Sequence, residues 1–138
     1  MIENEIRQML SQPRDSNIEN NLIKKLRKLD ENYAYDLIKI VFWTNVSLGL
    51  MYSKRVLRNS NFFLEILNHG MHYADASIIN LYLDCCISNL GFKKVALIIR
   101  DSKNTYPGGY KKALYWLPRH LPKDDIKSAK ILSSFKDS

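Results

Sequence analysis

The feature that most constrains the fold is a helical segment with a very thin polar stripe. From Asp75 to Leu90 the polar residues recur at steps of three and four, and nearly every other position is aliphatic, aromatic or cysteine; the stripe consists of Ser77, Asn80, Asp84 and Ser88. This spacing is that of one face of an α-helix. A helix with so little polar surface must be covered by neighbours on most of its circumference. The sequence therefore predicts a helical domain with a buried central helix.

Length and composition limit the class of protein. A chain of 138 residues with 46% hydrophobic residues is not generally disordered and favours a single all-helical domain over residues 1–138. The net charge of +7 favours an anionic partner, although basic charge also serves solubility. The adjacent Cys85 and Cys86 are predicted to be reduced core residues. No signal-peptide pattern and no apolar run of ~20 residues is present, so a cytoplasmic protein with no membrane partner is predicted.

Capping residues predict where several helices begin and end. Ser16 followed by Glu19 forms a capping box, which predicts a helix start at this point. Gly70 is predicted to end a short helix over Asn61–Asn68, and Asp75 to cap the central helix. Two further apolar helices are predicted to follow the central one, over Phe92–Arg100 and Gly109–Leu117.

The helix over Tyr33–Trp43 has almost no polar residues. Asp36 and Lys39 supply nearly all of its polarity, and Trp43 widens its apolar stripe. This composition predicts a helix that is buried on most sides.

A short motif of a basic residue, Asp or Asn, and Ser recurs near the predicted helix boundaries. It occurs at Arg14-Asp-Ser, Arg58-Asn-Ser, Arg100-Asp-Ser and Lys136-Asp-Ser, and the basic residues are 44, 42 and 36 positions apart. All-helical periods of about 40 residues are typical of HEAT and armadillo repeats. We therefore predict an all-α fold, a short HEAT/armadillo-like α-solenoid of about seven to eight helices. An irregular helical bundle is the alternative.

Motifs for catalysis and cofactor binding are absent from the sequence. It contains no glycine-rich phosphate loop, no Gly-x-Ser-x-Gly, no Cys-x-x-Cys and no zinc-protease signature. His69, His72 and Asp75 have a spacing compatible with metal ligands, but the break predicted at Gly70 favours loop histidines and a capping aspartate. Asp84 is predicted to lie on the polar stripe. The sequence thus predicts a non-enzymatic protein without metal, cofactor or small-molecule substrate.

Basic and aromatic residues lie together in the C-terminal part of the chain. The candidates for partner binding are Lys111, Lys112, Tyr115, Trp116, Arg119 and His120. Aromatic residues mixed with Arg and Lys are typical of protein-binding hot spots and of surfaces that stack single-stranded nucleic acid. Tyr110 is predicted to be a core residue. Tyr115 and Trp116 cannot both join the apolar helix face, so at least one is predicted to lie near the surface.

The same region carries a resemblance to a known group of proteins. The run Arg100–Pro122 resembles a joint between HEAT-like repeats, and a glycine before Tyr110-Lys-Lys-Ala-Leu-Tyr-Trp-Leu is similar to bacterial HEAT-like proteins of polymorphic-toxin and contact-dependent growth inhibition loci. Many of those proteins are immunity proteins. The resemblance implies a protein that binds and neutralises a cognate toxin domain. The alternative is a nucleic-acid-binding HEAT-like protein that uses basic N- and C-terminal helices.

Overall fold

The computed structural model describes residues 1–135, and this part of the chain is helical without strands. Its elements, in order, are α1 (Ile2–Leu10), α2 (Ser16–Arg27), α3 (Glu31–Thr44), α4 (Val46–Val56), α5 (Ser60–Tyr73), α6 (Ile79–Leu90), α7 (Phe92–Asp101), α8 (Pro107–Trp116), a 3-10 helix (Leu117–His120) and α9 (Ile126–Ser134). The predicted all-α class is confirmed. No helix in residues 1–135 is both long enough and apolar enough to span a membrane.

The chain divides into two compact units, the first comprising Met1–Asn59 and the second beginning at Ser60. In unit 1, α3 packs against α1 and α4, and α2 contacts α1 and α4. In unit 2, α6 contacts α5, α7, α8 and the 3-10 helix, and α9 packs against α7. Each unit is built of helices packed against their neighbours, as in a short solenoid or bundle. The single domain over residues 1–138 stays a prediction.

The central position of α6 agrees with its thin polar stripe. Its buried residues are Ile79, Tyr82, Leu83, Cys85 and Cys86. Asp84 and Ser88 on the stripe are exposed. The thiol of Cys86 donates to the Phe63 carbonyl at 3.5 Å, and both a hydrogen bond with Cys85 and burial raise its pKa. The two cysteines are therefore free thiols of the core.

Two buried glycines allow the helices around α6 to approach closely. A Cβ atom at Gly70 would meet the ring of Tyr82, and one at Gly109 would overlap the carbonyl group of Met71. The predicted helix end at Gly70 is wrong, because α5 continues to Tyr73. Gly70 serves instead as a packing surface for the tyrosine ring.

The start of α2 also differs from the prediction. Asp15, not Ser16, is the N-cap, and its Oδ1 accepts hydrogen bonds from the Asn17 and Ile18 amides at 2.9 and 3.3 Å. Glu19 is buried, and its carboxylate accepts two hydrogen bonds from the Arg14 guanidinium at 2.9 and 2.8 Å. The predicted capping box is therefore wrong, since the Asp15 side chain one residue earlier takes the cap and Arg14 engages the glutamate.

The apolar stripe of α3 is narrower than predicted. Leu37, Ile38 and Val41 are buried, whereas Trp43 is 88% exposed and Tyr33 is 43% exposed. Neighbouring helices cover the side of α3 that carries the three aliphatic residues. The predicted burial of Trp43 is wrong for this reason.

The repeated basic motif marks helix boundaries in three places. It lies before α2, before α5 and at the end of α7. Its fourth occurrence, Lys136-Asp137-Ser138, lies outside the described residues.

Adjacent glycines in α8 provide a test of the close helix approach. We expect Gly109→Ala to lower the free energy of unfolding by about 1–3 kcal/mol, because the new methyl group would overlap the Met71 carbonyl. Gly108→Ala is the control, since nothing lies within 4 Å of its added Cβ, and it should be neutral or stabilising by about 0.5–1 kcal/mol. Urea denaturation of the purified variants measures both values. Equal effects would contradict this account of the α5–α8 contact.

The core tyrosine of unit 1 provides a second test. Tyr52 is fully buried, its hydroxyl has no hydrogen-bond partner within residues 1–135, and burial raises its pKa to about 12. We expect Tyr52→Phe to leave stability at neutral pH unchanged or raised by about 1 kcal/mol. From about pH 10 the unfolded chain loses this proton first, so wild-type stability should fall towards pH 12, and the variant should lose less.

Urea denaturation at neutral pH and near pH 11 measures both effects of Tyr52→Phe. The control is Tyr82→Phe, because the Tyr82 hydroxyl lies 3.0 Å from Nδ1 of His69. Loss of this hydrogen bond should cost about 1 kcal/mol at neutral pH. A similar cost for Tyr52→Phe would show that its hydroxyl is bonded after all.

Candidate functional site

One short segment brings the six predicted contact residues together. α8 is followed directly by the 3-10 helix, so the helical path continues through His120. The side that faces the core carries Tyr110, Ala113 and Leu117. The predicted core position of Tyr110 is confirmed. The six candidates form two rows, each with a spacing of four residues along the remaining surface.

The first row, which we call the bonded row, consists of Lys112, Trp116 and His120. Lys112 Nζ donates to the Ala74 carbonyl at 3.1 Å. Trp116 Nε1 donates to the Ala76 carbonyl at 2.7 Å. Both carbonyls belong to the connection between α5 and α6, so these side chains tie α8 to that connection. Each of the two side chains thus uses one hydrogen-bond donor within unit 2.

His120 completes the bonded row with a contact to α6. Its Nε2 lies 2.6 Å from Oδ1 of Asn80. An amide oxygen only accepts, so His120 carries a proton on Nε2. Burial lowers the pKa of His120 below its ordinary value of 6.5, against an opposing influence of the Asp84 carboxylate. The imidazole is therefore held in its neutral form at neutral pH.

Asp75 orders the connection that the bonded row contacts. Its Oδ1 accepts from the backbone amides of Ser77 and Ile78 at 3.0 and 2.9 Å and from the Ser77 hydroxyl at 2.8 Å. The hydrogen bonds from Ile78 and Ser77 lower the pKa of Asp75. Asp75 thus caps the turn that leads into α6, which begins at Ile79 rather than directly after Asp75.

The second row, which we call the outer row, consists of Lys111, Tyr115 and Arg119. All three residues are exposed, and Tyr115 is 63% exposed. Arg119 Nη2 donates to the Tyr115 hydroxyl at 3.1 Å, and its guanidinium lies 5.1 Å from the Tyr115 ring centre and 4.7 Å from that of Trp116. These contacts hold the guanidinium against two aromatic rings.

The charge of this segment has one sign. Residues 107–120 include two lysines and one arginine but no aspartate or glutamate. The Arg119 guanidinium has five N–H donors, and one hydrogen bond to a tyrosine hydroxyl leaves most of them for another group. The outer row therefore offers a fixed cation, a second cation and a tyrosine to a molecule that approaches from solvent.

The two histidines of α5 lie among aromatic rings. His69 contacts Tyr82 through Nδ1, and His72 lies 4.2 Å from the ring centre of Tyr73 and 5.4 Å from that of Tyr106. Within residues 1–135, no group of three or more His, Cys, Asp and Glu side chains has a geometry that could hold a metal ion.

Besides Tyr33, two strongly exposed aromatic residues were not among the predicted contact residues. Trp43 near the end of α3 is 88% exposed, and Tyr73 at the end of α5 is 70% exposed. The only sequence signal was position, because each residue lies in the last turn of its helix. Trp43 belongs to unit 1, and Tyr73 belongs to unit 2.

Comparison with known proteins gives no relative: no family model, no curated protein and no solved structure matches the chain. The class that the structure defines is an all-α protein of packed short helices.

The contact between His120 and Asn80 predicts a loss of stability in acid. The unfolded chain binds a proton to this histidine near pH 6.5, before the folded chain does, so stability should fall as the pH drops below that value. We expect His120→Gln, which keeps an N–H donor, to show a smaller loss. Urea denaturation at about pH 7.5 and about pH 5.5 measures the difference. An equal loss in wild type and variant would contradict the assignment of this titration to His120.

Proposed function

We propose that the chain is a non-enzymatic protein-binding module whose outer row contacts the partner. Its most specific form is an immunity protein that acts in the cytoplasm and neutralises a cognate bacterial toxin domain. The observation that carries the proposal is the exposed Arg119 guanidinium held over Tyr115 and Trp116. Tyr, Trp and Arg are the residues most enriched in the energetic centres of protein interfaces.

The geometry of the outer row favours a protein partner over a stacked base. The rings of Tyr115 and Trp116 already lie against the same guanidinium, and the two rings meet edge to face, with centres 5.2 Å apart and planes at 88°. Single-stranded nucleic acid binds best where aromatic rings have open faces on which its bases can stack. Here the outward group is instead a fixed cation, which suits a carboxylate or a carbonyl of a partner protein.

Neutralisation by such a surface needs no chemistry on the partner. A bound module covers the active site or the substrate groove of a toxin, and matching charge increases the association rate and the specificity. The side chain of Arg119 loses little freedom on binding because Tyr115 already orders it. The resemblance of the run Arg100–Pro122 to HEAT-like immunity proteins supports a toxin as the partner.

The double variant Tyr115→Ala/Arg119→Ala tests the proposal. We expect it to weaken binding to the toxin domain encoded by the neighbouring reading frame by about 30-fold or more, which corresponds to about 2 kcal/mol. The melting temperature should change little, because both residues are exposed. Titration calorimetry with the toxin domain and a toxin-activity assay measure affinity and neutralisation.

The control for this experiment is Tyr33→Ala/Lys94→Ala. It also removes one exposed tyrosine and one exposed cation, but from α3 and α7. We expect this control to bind and neutralise as wild type does. Failure of the wild-type chain to bind the toxin domain would overturn the immunity function, and equal losses in both double variants would overturn the role of the outer row.

A further inference from the structure

Eight of the Lys and Arg side chains of unit 1 form two groups that differ in their partners. In the first group each cation forms an ion pair with a carboxylate: Arg7 with Glu3 at 3.1 Å, Arg14 with Glu19 at 2.8 Å, Lys25 with Glu5 at 2.6 Å and Lys39 with Asp36 at 3.8 Å. These pairs use most of the carboxylates of α1, α2 and α3.

The second group lies where α2 packs beside α4, and we call it the basic seam. It consists of Lys24, Arg27, Lys28 and Arg55, all exposed. Arg27 Nε donates to the Arg55 carbonyl at 2.9 Å, and Arg55 Nη1 donates to Asn20 Oδ1 at 3.2 Å. Within residues 1–135 none of these four cations forms an ion pair with a carboxylate.

Nearby acidic residues are engaged by the backbone instead. Asp30, just after α2, accepts from the Tyr33 amide at 3.3 Å as the N-cap of α3. Glu31 accepts from the amides of Arg58 and Asn59 at 3.3 and 3.1 Å. The positive charge of the basic seam is therefore left uncompensated by these carboxylates.

Helix-dipole stabilisation accounts for only part of this arrangement. Lys24 and Arg27 lie in the last turn of α2, and Arg55 lies in the last turn of α4, where cations are favoured by the dipole. That effect acts separately on each helix. It gives no reason for two helices to bring their cations side by side, with one arginine bonded to the backbone of the other.

We propose that the basic seam binds the phosphate backbone of a duplex nucleic acid without reading its sequence. Two guanidiniums and two ammonium groups suit several phosphates at once. Asn17, Asn20 and Asn21 on the exposed side of α2 add amide groups of the kind that contact phosphate oxygens.

The absence of aromatic residues from α2 favours phosphate over an acidic protein surface. This helix contains no Phe, Tyr or Trp. Protein interfaces have apolar or aromatic centres and are depleted in lysine, whereas interfaces with nucleic acid are rich in positive charge. The basic seam thus differs from the outer row of unit 2, where two aromatic rings support the cation.

Release of counterions from the duplex makes this binding depend on salt concentration. Four cations that neutralise about four phosphates give a slope of about −3.6 for log K against log salt concentration. Affinity should then fall by roughly 100-fold between about 50 and 200 mM salt.

The experiment uses the full chain and a short fluorescent duplex DNA in an anisotropy titration at several salt concentrations. The test variant is Lys24→Gln/Lys28→Gln, whose side chains make no hydrogen bond or ion pair within residues 1–135, so the fold should be unaffected. Loss of two phosphate contacts should reduce the slope by about 1.8 and weaken binding at about 50 mM salt by at least about 10-fold.

The control Arg7→Gln/Lys25→Gln removes the same net charge from the paired group of unit 1. It should keep the wild-type slope and bind the duplex within about 3-fold of wild type. Equal losses in the two double variants would show that binding depends only on net charge and would overturn the site. Failure of wild type to bind the duplex at low salt would also overturn it, as would equal competition by polyglutamate of the same charge.

Discussion

Close packing around α6 is the constraint on which unit 2 depends. A helix with so narrow a polar stripe has to be enclosed, and its neighbours α5, α7, α8 and the 3-10 helix do so. The backbone of α8 lies directly on α5 because Gly109 has no side chain to separate them. This approach fixes which side of α8 faces inward, and the orientation of its other two sides follows from the geometry of the helix.

Side chains of similar chemistry have different tasks on those two sides. Lys112 and Trp116 direct their donors to backbone carbonyls of the α5–α6 connection. Arg119, on the adjacent side, uses a tyrosine hydroxyl and two rings for orientation and keeps donors for solvent. One row therefore secures the helix, and the other is oriented but exposed to solvent.

The two proposed surfaces differ in the way charge is supported. In unit 2 the guanidinium is backed by aromatic rings, which gives the patch an apolar component. In unit 1 the basic seam is backed by an asparagine oxygen and a backbone carbonyl, so it offers charge without an apolar centre. A charge with an apolar component suits a folded protein surface, whereas charge without an apolar centre suits a regular phosphate backbone.

The sequence by itself determined the helical class, the enclosed position of α6 and the core position of Tyr110, because helical periodicity and apolar content are local properties of the chain. It also indicated the six candidate residues of the C-terminal segment. It missed that Asp15 and not Ser16 is the N-cap of α2, and that α5 continues through Gly70. It also missed the exposure of Trp43, the division of the six residues into two rows and the convergence of cations from α2 and α4. Only the tertiary structure decided these points, because periodicity defines the faces of a helix, whereas the neighbour that covers each face is set by residues distant in the chain.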